Sequence, residues 1–243
     1  MSNIIHMSGV TSKINEGSIK KKHGLFIVIE GTDRCGKSTQ AKKLLDFIGK
    51  QDCEEICFPD RTTRIGKVIN DILVNTTLED EPMNHQALHL LFSSNRWENN
   101  DIIKKILLDS RDIVCSRYFY SGAAYSMAKG LDYDWCLNPE KGLICPDIVF
   151  YLKMKDSREL SKRDGFGDEL YEQEDFQQKV SESFDIIFKK EMGKWKYGPI
   201  GPVIIEGKEK PISNEPMIVE IDASLPMDEI ASKIIDAYKS MKQ

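Results

Sequence analysis

Gly31, Gly36, Lys37 and Ser38 stand at the spacing G-x-x-x-x-G-K-[ST] in the run Gly31-Thr-Asp-Arg-Cys-Gly-Lys-Ser38. That pattern is built to hold phosphate. Its glycines let the backbone curl until N–H groups face phosphate oxygens. Its lysine, Lys37, reaches the β/γ-phosphates, and the Ser38 hydroxyl can ligate Mg²⁺. Other phosphate-loop classes carry marks that this chain lacks. There is no N-K-x-D segment, as a GTPase should have, and no L-S-G-G-Q segment, as transporter ATPases have. Instead, arginines recur at Arg34, Arg61, Arg64, Arg96, Arg117, Arg158 and Arg163. Phosphoryl transfer between two nucleotides needs cations along the whole phosphate chain. Arginine forks suit phosphate oxygens better than lysine does. Arg64 and Arg158 read better as solvated surface charges.

A phosphate loop requires a strand before it and a helix after it. Leu25–Glu30 is a short apolar run rich in β-branched residues, and Thr39–Ile48 has a helical pattern. Further strands are expected at Glu54–Phe58, Asp112–Ser116, Asp147–Leu152 and Met217–Ile221. Helices are expected at about 37–49, 64–75, 84–108, 118–129, 156–163, 175–194 and 226–241. The alternation implies an α/β fold, a five-stranded parallel sheet with helices on both faces. Ligands of such sheets sit beyond the C-terminal strand ends. The phosphate loop, Phe58-Pro59 and Ser116-Arg117 all fall there and should converge. The segment Tyr197–Pro216 holds four of the nine prolines and three glycines, so it cannot be one helix. A surface loop or small hairpin around Val203–Glu206 is expected.

The chain has 243 residues and a net charge of −5, which argues against a general nucleic-acid or membrane surface. No apolar run approaches a membrane span. Residues 1–23 read as a polar, disordered tail without a secretory signal, and 24–243 as a single domain. Six cysteines, Cys35, Cys53, Cys57, Cys115, Cys136 and Cys145, read as reduced and mostly core thiols. Cys35, at a helix N-terminus beside Lys37, is either an oxidation-sensitive thiol or a small filler. His85 and His89 have i, i+4 spacing without the glutamate of H-E-x-x-H, and read as a helix-surface pair. Asp132-Tyr-Asp134 reads as a solvated loop.

Six segments in order carry a resemblance. They are Gly31-Thr-Asp-Arg-Cys-Gly-Lys-Ser-Thr-Gln40, Phe58-Pro-Asp-Arg61, Leu91-Phe-Ser-Ser-Asn-Arg-Trp-Glu98, Arg117-Tyr-Phe-Tyr-Ser-Gly122, Cys145-Pro-Asp147, and Lys162-Arg-Asp-Gly-Phe-Gly167 with Tyr171-Glu172 and Phe176-Gln177. Together they resemble the thymidylate kinases, of eukaryotic type, among the phosphate-loop (P-loop) nucleoside-monophosphate kinases. The resemblance implies a P-loop kinase fold with a mobile lid at about 156–175. It implies that ATP and dTMP give ADP and dTDP with Mg²⁺, in a homodimer that uses the apolar side of helix 84–108. For ATP it implies Gly31, Thr32, Asp33, Arg34, Cys35, Gly36, Lys37, Ser38 and Thr39, with Arg163 on the adenine face. Arg34, Lys37 and Arg117 would be catalytic, Arg34 acting from within the loop because the lid is poor in arginine. For dTMP it implies thymine stacked on Phe92 with Arg96 at its edge and Phe58 lining the pocket. Arg61 and Arg117 would grip the monophosphate. Asp33 would accept from the 3′-hydroxyl. Ser121, Gly122 and Tyr125 would pass near sugar and base, and Tyr171 would sit where a ribose 2′-hydroxyl would clash.

One position departs from the resemblance. The family pattern has an aspartate before Arg117-Tyr118, where it helps organise Mg²⁺ and its waters, and this chain has Ser116. A serine is neutral and cannot replace a carboxylate in charge balance. Activity with Ser116 and water completing the metal shell is one reading. A nucleotide-binding protein with weak or no turnover is another, and a broader pyrimidine monophosphate kinase is a third. A cytoplasmic protein is expected, with nuclear or mitochondrial pools left open.

Overall fold

Phe26–Ile29 are all fully buried, which a strand tolerates only when both faces of its sheet are covered. In the computed structural model, which describes residues 23–74, 84–154, 173–191, 203–205, 208–210 and 216–242, they form the central strand β1 (Phe26–Gly31). The sheet order is β2 (Cys53–Cys57), β3 (Asp112–Ser116), β1, β4 (Ile148–Lys153), β7 (Met217–Asp222), and every pairing is parallel. The chain runs from β1 to one side and returns across it to β4 and β7. A crevice therefore opens at the C-terminal strand ends.

Successive β1 side chains feed two cores. Phe26 and Val28 face a core with Ile103 and Leu107 of α3 (His85–Leu108), Ala123 and Ala124 of α4 (Phe119–Ala128), and Phe184 of α6 (Glu174–Glu191). Ile27 and Ile29 face a core with Ala41 and Leu44 of α1 (Lys37–Ile48) and Ile230 and Ile234 of α7 (Met227–Lys242). This period-two split decides which layer each residue at a strand end serves. Glu30 shares the parity of Phe26 and Val28, on the α4 side. Ser116 shares the parity of Val114, on the α1 side.

Each end of α7 is tied down. Its first turn meets α1 through Gln40 Nε2 donating to the Met227 carbonyl (2.9 Å) and a Lys43–Asp228 pair (2.6 Å). Its last turns reach the start of β3, where the Tyr238 hydroxyl (2.8 Å) and Lys242 Nζ (2.7 Å) both donate to Asp112.

Within the described residues the expected strands and helices match in kind and order, and ends that can be compared shift by no more than one residue. Three readings need correction. β2 is an edge strand with a half-exposed pattern, so Cys57 at its end is exposed rather than a core thiol. Asp132 does not sit in a simple loop. It accepts from Trp135 N (2.8 Å) and caps the short α5 (Tyr133–Leu137), which continues as a 3₁₀ turn, Asn138–Glu140. His89 is 1% exposed and lies inside the molecule. Around 197–216 the described residues form a hairpin, β5 (Val203–Ile205) antiparallel to β6 (Lys208–Lys210). The expected helix 156–163 and nearly all of the lid lie outside the described residues. All six cysteines are free thiols. No helix among the described residues is long and apolar enough to cross a membrane.

Candidate active site

The loop between β1 and α1 turns on positive φ angles at Gly31 (145°), Arg34 (59°) and Gly36 (98°). Gly31 is further fixed by space, since a Cβ there would meet the Leu152 carbonyl oxygen at 2.5 Å. Gly36 is the N-cap of α1, so the first turn of that helix points its free N–H groups into the loop. Lys37 is buried, and its Nζ donates to the Thr32 carbonyl (2.5 Å) and sits 3.7 Å from Cys35 Sγ. Burial, with Arg117 nearby, holds the Lys37 pKa below its ordinary value. Cys35 is 2% exposed, which favours the filler reading of that thiol. A cavity of about 960 Å³ opens over residues 33–40. Its far wall is Ala223, Leu225, Met227 and Ile230, from the β7–α7 turn.

A second cavity, of about 290 Å³, lies on the other side of the β1 end. Phe58, Pro59 and Arg61 enter it from the loop after β2, Leu88, Phe92 and Arg96 from α3, and Ser121, Gly122 and Tyr125 from α4. Asn95, fully buried on α3, holds that loop by accepting from Asp60 N (2.7 Å) and donating to the Asp60 carbonyl (3.1 Å). Arg61 Nη1 donates to Asn70 (3.1 Å).

Asp33 and Arg117 line both cavities. They form an ion pair with each other. Asp33 also accepts from the Tyr125 hydroxyl (2.7 Å) and from Gln177 Nε2 (2.7 Å), and its N–H donates to Gln177 Oε1 (2.9 Å). Burial would raise the Asp33 pKa, but the Arg117 and Lys37 charges outweigh it, and the carboxyl is held below its ordinary value. Arg117 has φ 64° and lies over the Tyr125 ring at 5.2 Å. Its left-handed turn is pinned on both sides. Arg117 N donates to the Ile29 carbonyl (3.0 Å), and Cys115 Sγ donates to the Arg117 carbonyl (3.0 Å). The next N–H, of Tyr118, donates to Glu30 (2.7 Å).

Glu30 was not singled out by sequence. It is fully buried and accepts from Tyr118 N, Ser121 N (3.1 Å) and Ser121 Oγ (2.5 Å), capping α4 from the neighbouring strand. Burial raises its pKa. Its only advance signal was an acid in an otherwise apolar strand. Leu88, Ser126 and Lys129 also line the second cavity without having been picked out, and so does His89, which the spacing had placed on the surface. Burial pushes the Lys129 ammonium down to about 8.

Ser38 is exposed at the first turn of α1. Ser116 is 6% exposed, and its Oγ has no hydrogen-bond partner. Among the described residues no cluster of His, Cys, Asp or Glu could hold a metal ion by itself. Ser38 and Ser116 offer hydroxyl oxygens, which suit a Mg²⁺ ion whose other ligands are phosphate and water. Of the expected site residues, Arg163 and Tyr171 lie outside the described residues. The others gather at the two cavities and the wall between them.

A P-loop, a parallel sheet and two cavities meeting at a charged wall define a phosphotransferase of the P-loop kinase class. The thymidylate kinase family model matches residues 29–198, and the chain belongs to that family. It is 48% identical over 182 residues to the thymidylate kinase of Dictyostelium discoideum, covering 72% of this chain and 80% of that one. It is 39% identical over 224 residues to that of Schizosaccharomyces pombe, covering 91% and 95%. The solved thymidylate kinase of Candida albicans, described as revealing the origin of broad substrate specificity, is similar at TM-score 0.73 and 35% identity, over 90% of this chain and 93% of that one.

Proposed function

We propose that this chain transfers the γ-phosphoryl group of ATP to the 5′-monophosphate of dTMP, giving ADP and dTDP. The observation that carries this is the shared wall. Asp33 and Arg117 face the phosphate-loop cavity and the apolar cavity at once, so two phosphate chains can meet there. An oxygen of the monophosphate attacks Pγ as the bond from Pγ to the β-phosphate oxygen breaks. The attacking oxygen is already anionic, so no general base is needed. The work is alignment and charge neutralisation. Gly31–Thr39 cradle the β-phosphate with backbone N–H groups. Lys37, which now donates to its own loop, swings its ammonium to the transferring group, and Arg34 acts on the same charge. Arg61 and Arg117 hold the monophosphate. Thymine stacks on Phe92 beside Phe58, and Arg96 donates to its edge. Asp33 accepts from the 3′-hydroxyl, and Ser121, Gly122 and Tyr125 flank the sugar. Arg163 and Tyr171 join this reading through the family resemblance.

When bound, Mg²⁺ would neutralise phosphate charge. Ser38 would give it a hydroxyl ligand, and Ser116 Oγ, unpartnered at the end of β3, would meet a metal-bound water. Residues 24–243 act as one domain. On α3, Leu90, Trp97 and Leu108 are exposed along one line. A second copy of this chain covers that stripe in a homodimer.

The test is a coupled ADP-release assay with ATP, Mg²⁺ and dTMP, run beside Ser116→Asp. Robust wild-type turnover supports the kinase. No turnover in the wild type, with recovery in Ser116→Asp, would replace it with a nucleotide-binding protein. Near-equal rates with dUMP and dTMP would broaden the substrate to pyrimidine monophosphates.

A further inference from the structure

Arg96 is a full cation buried to 2% exposure, lining the same cavity as Arg61 and Arg117, the arginines proposed for phosphate. Its charge is met by Glu140, which is 3% exposed. Arg96 Nε donates to Glu140 Oε2 (2.8 Å) and Nη2 to Oε1 (2.5 Å), a two-pronged pair. Glu140 stands in the 3₁₀ turn after α5. Helix α3 grips that segment along one face. His89 Nε2 donates to the Cys136 carbonyl (2.9 Å), while Trp97 Nε1 (2.8 Å) and Ser93 Oγ (3.4 Å) donate to the Pro139 carbonyl. On its other side the guanidinium lies against Gly122, where a Cβ would come within 2.6 Å of Nη2. The plane is thus clamped between a carboxylate and a bare backbone. Two of its five N–H donors are spent on Glu140, and the cavity is left with those of Nη1 and the second of Nη2.

We infer that Glu140 is a positioning and specificity-determining residue, which holds Arg96 for the base edge and removes it from competition for phosphate. The inference rests on the reading that dTMP fills this cavity. Two physical effects combine. The bidentate pair fixes the guanidinium so that N–H donors meet a base carbonyl. A 4-oxo pyrimidine accepts there, whereas a 4-amino pyrimidine presents N–H against N–H. The pair also cancels the buried charge, so phosphate is drawn to Arg61 and Arg117 rather than to the base end.

Glu140→Gln keeps the shape and one acceptor but removes the charge. Steady-state rates are measured with dTMP and dCMP for wild type, Glu140→Gln, Glu140→Asp and the same changes in an Arg96→Met background. Glu140→Gln should raise KM for dTMP about tenfold, with kcat within about twofold, and lower the dTMP:dCMP preference about tenfold. Glu140→Asp, which keeps the charge with a shorter reach, should fall between and serves if Glu140→Gln does not fold. In the Arg96→Met background the Glu140 changes should move the preference by less than about twofold, because the group being positioned is gone. An unchanged preference, an equal loss for both nucleotides, or a loss confined to kcat would overturn the assignment while leaving the dTMP reading intact. A wild type that turns over no dTMP would overturn both.

Discussion

The two cavities are built by different constructions. The polar side of the phosphate-loop cavity, the proposed donor side, is one contiguous stretch, residues 33–40, which offers backbone N–H groups, Arg34 and Lys37. The acceptor side is assembled from side chains of α3, α4 and the loop after β2, held in place by partners further out: Asn95 under the Asp60 loop, Glu30 under Arg117, Glu140 behind Arg96. A phosphate is the same on every nucleotide, so a backbone cradle suffices for it. A base is not, and reading it takes shaped and oriented side chains. The division predicts that changes on the donor side act on kcat and changes on the acceptor side on KM.

Arg34→Ala is the sharpest attempt to break that division. Turnover should fall by about 10²–10³ while dTMP affinity, read by calorimetry, stays nearly the same. Unchanged turnover would remove Arg34 from catalysis. On the acceptor side, Phe92→Ala should raise KM for dTMP by about tenfold, a stacking loss of about 1.4 kcal/mol, with kcat little affected. If kcat fell instead, Phe92 would be part of the aligning machinery rather than a platform.

Ser116→Asp tests the wall from beneath. It should change kcat by no more than about threefold, and lower the Mg²⁺ concentration that gives half the maximal rate. A large gain in kcat would mean that the serine limits the enzyme. The smallest effect concerns stability. Burial, with Arg96 nearby, holds the His89 pKa below its ordinary 6.5, so the unfolded chain takes up that proton first. Its contribution is complete above about pH 6.5 and is lost as pH falls from there toward the folded value. Thermal melts from pH 7.5 to 5.5 should decline less steeply in His89→Asn than in wild type, and parallel declines would clear His89 of that role.

Legibility followed the same division. The donor loop could be read because its residues are adjacent and each has one chemical reason to be there. The strands were found because β1, β3 and β4 are each built on an apolar run, Phe26–Ile29, Ile113–Cys115 and Ile148–Leu152, as a doubly covered sheet requires. His89 was misread because i, i+4 spacing does not say which face of a helix is buried. Its partners, Ser126 and Cys136, are 37 and 47 residues away. Glu140 and Glu30 stayed hidden for a related reason. Each acts through a residue distant in sequence, Arg96 and Tyr118, at separations of 44 and 88. Ala223, Leu225, Met227 and Ile230 carry no motif at all. They line the donor cavity because β7 ends beside the loop.

Helix α7 has a consequence for how the far end of the molecule is felt at the near one. Its 16 residues make a stiff rod about 24 Å long. Met227 and Ile230 at one end wall the donor cavity, and Tyr238 and Lys242 at the other are moored to Asp112. A rod fastened at both ends transmits tension in either direction, and such coupling is reciprocal. If the rod carries that coupling, a nucleotide seated against the first turn should slow amide exchange at residues 238–242, a remote gauge of occupancy in a cavity those residues do not line, and unchanged exchange would show that it does not.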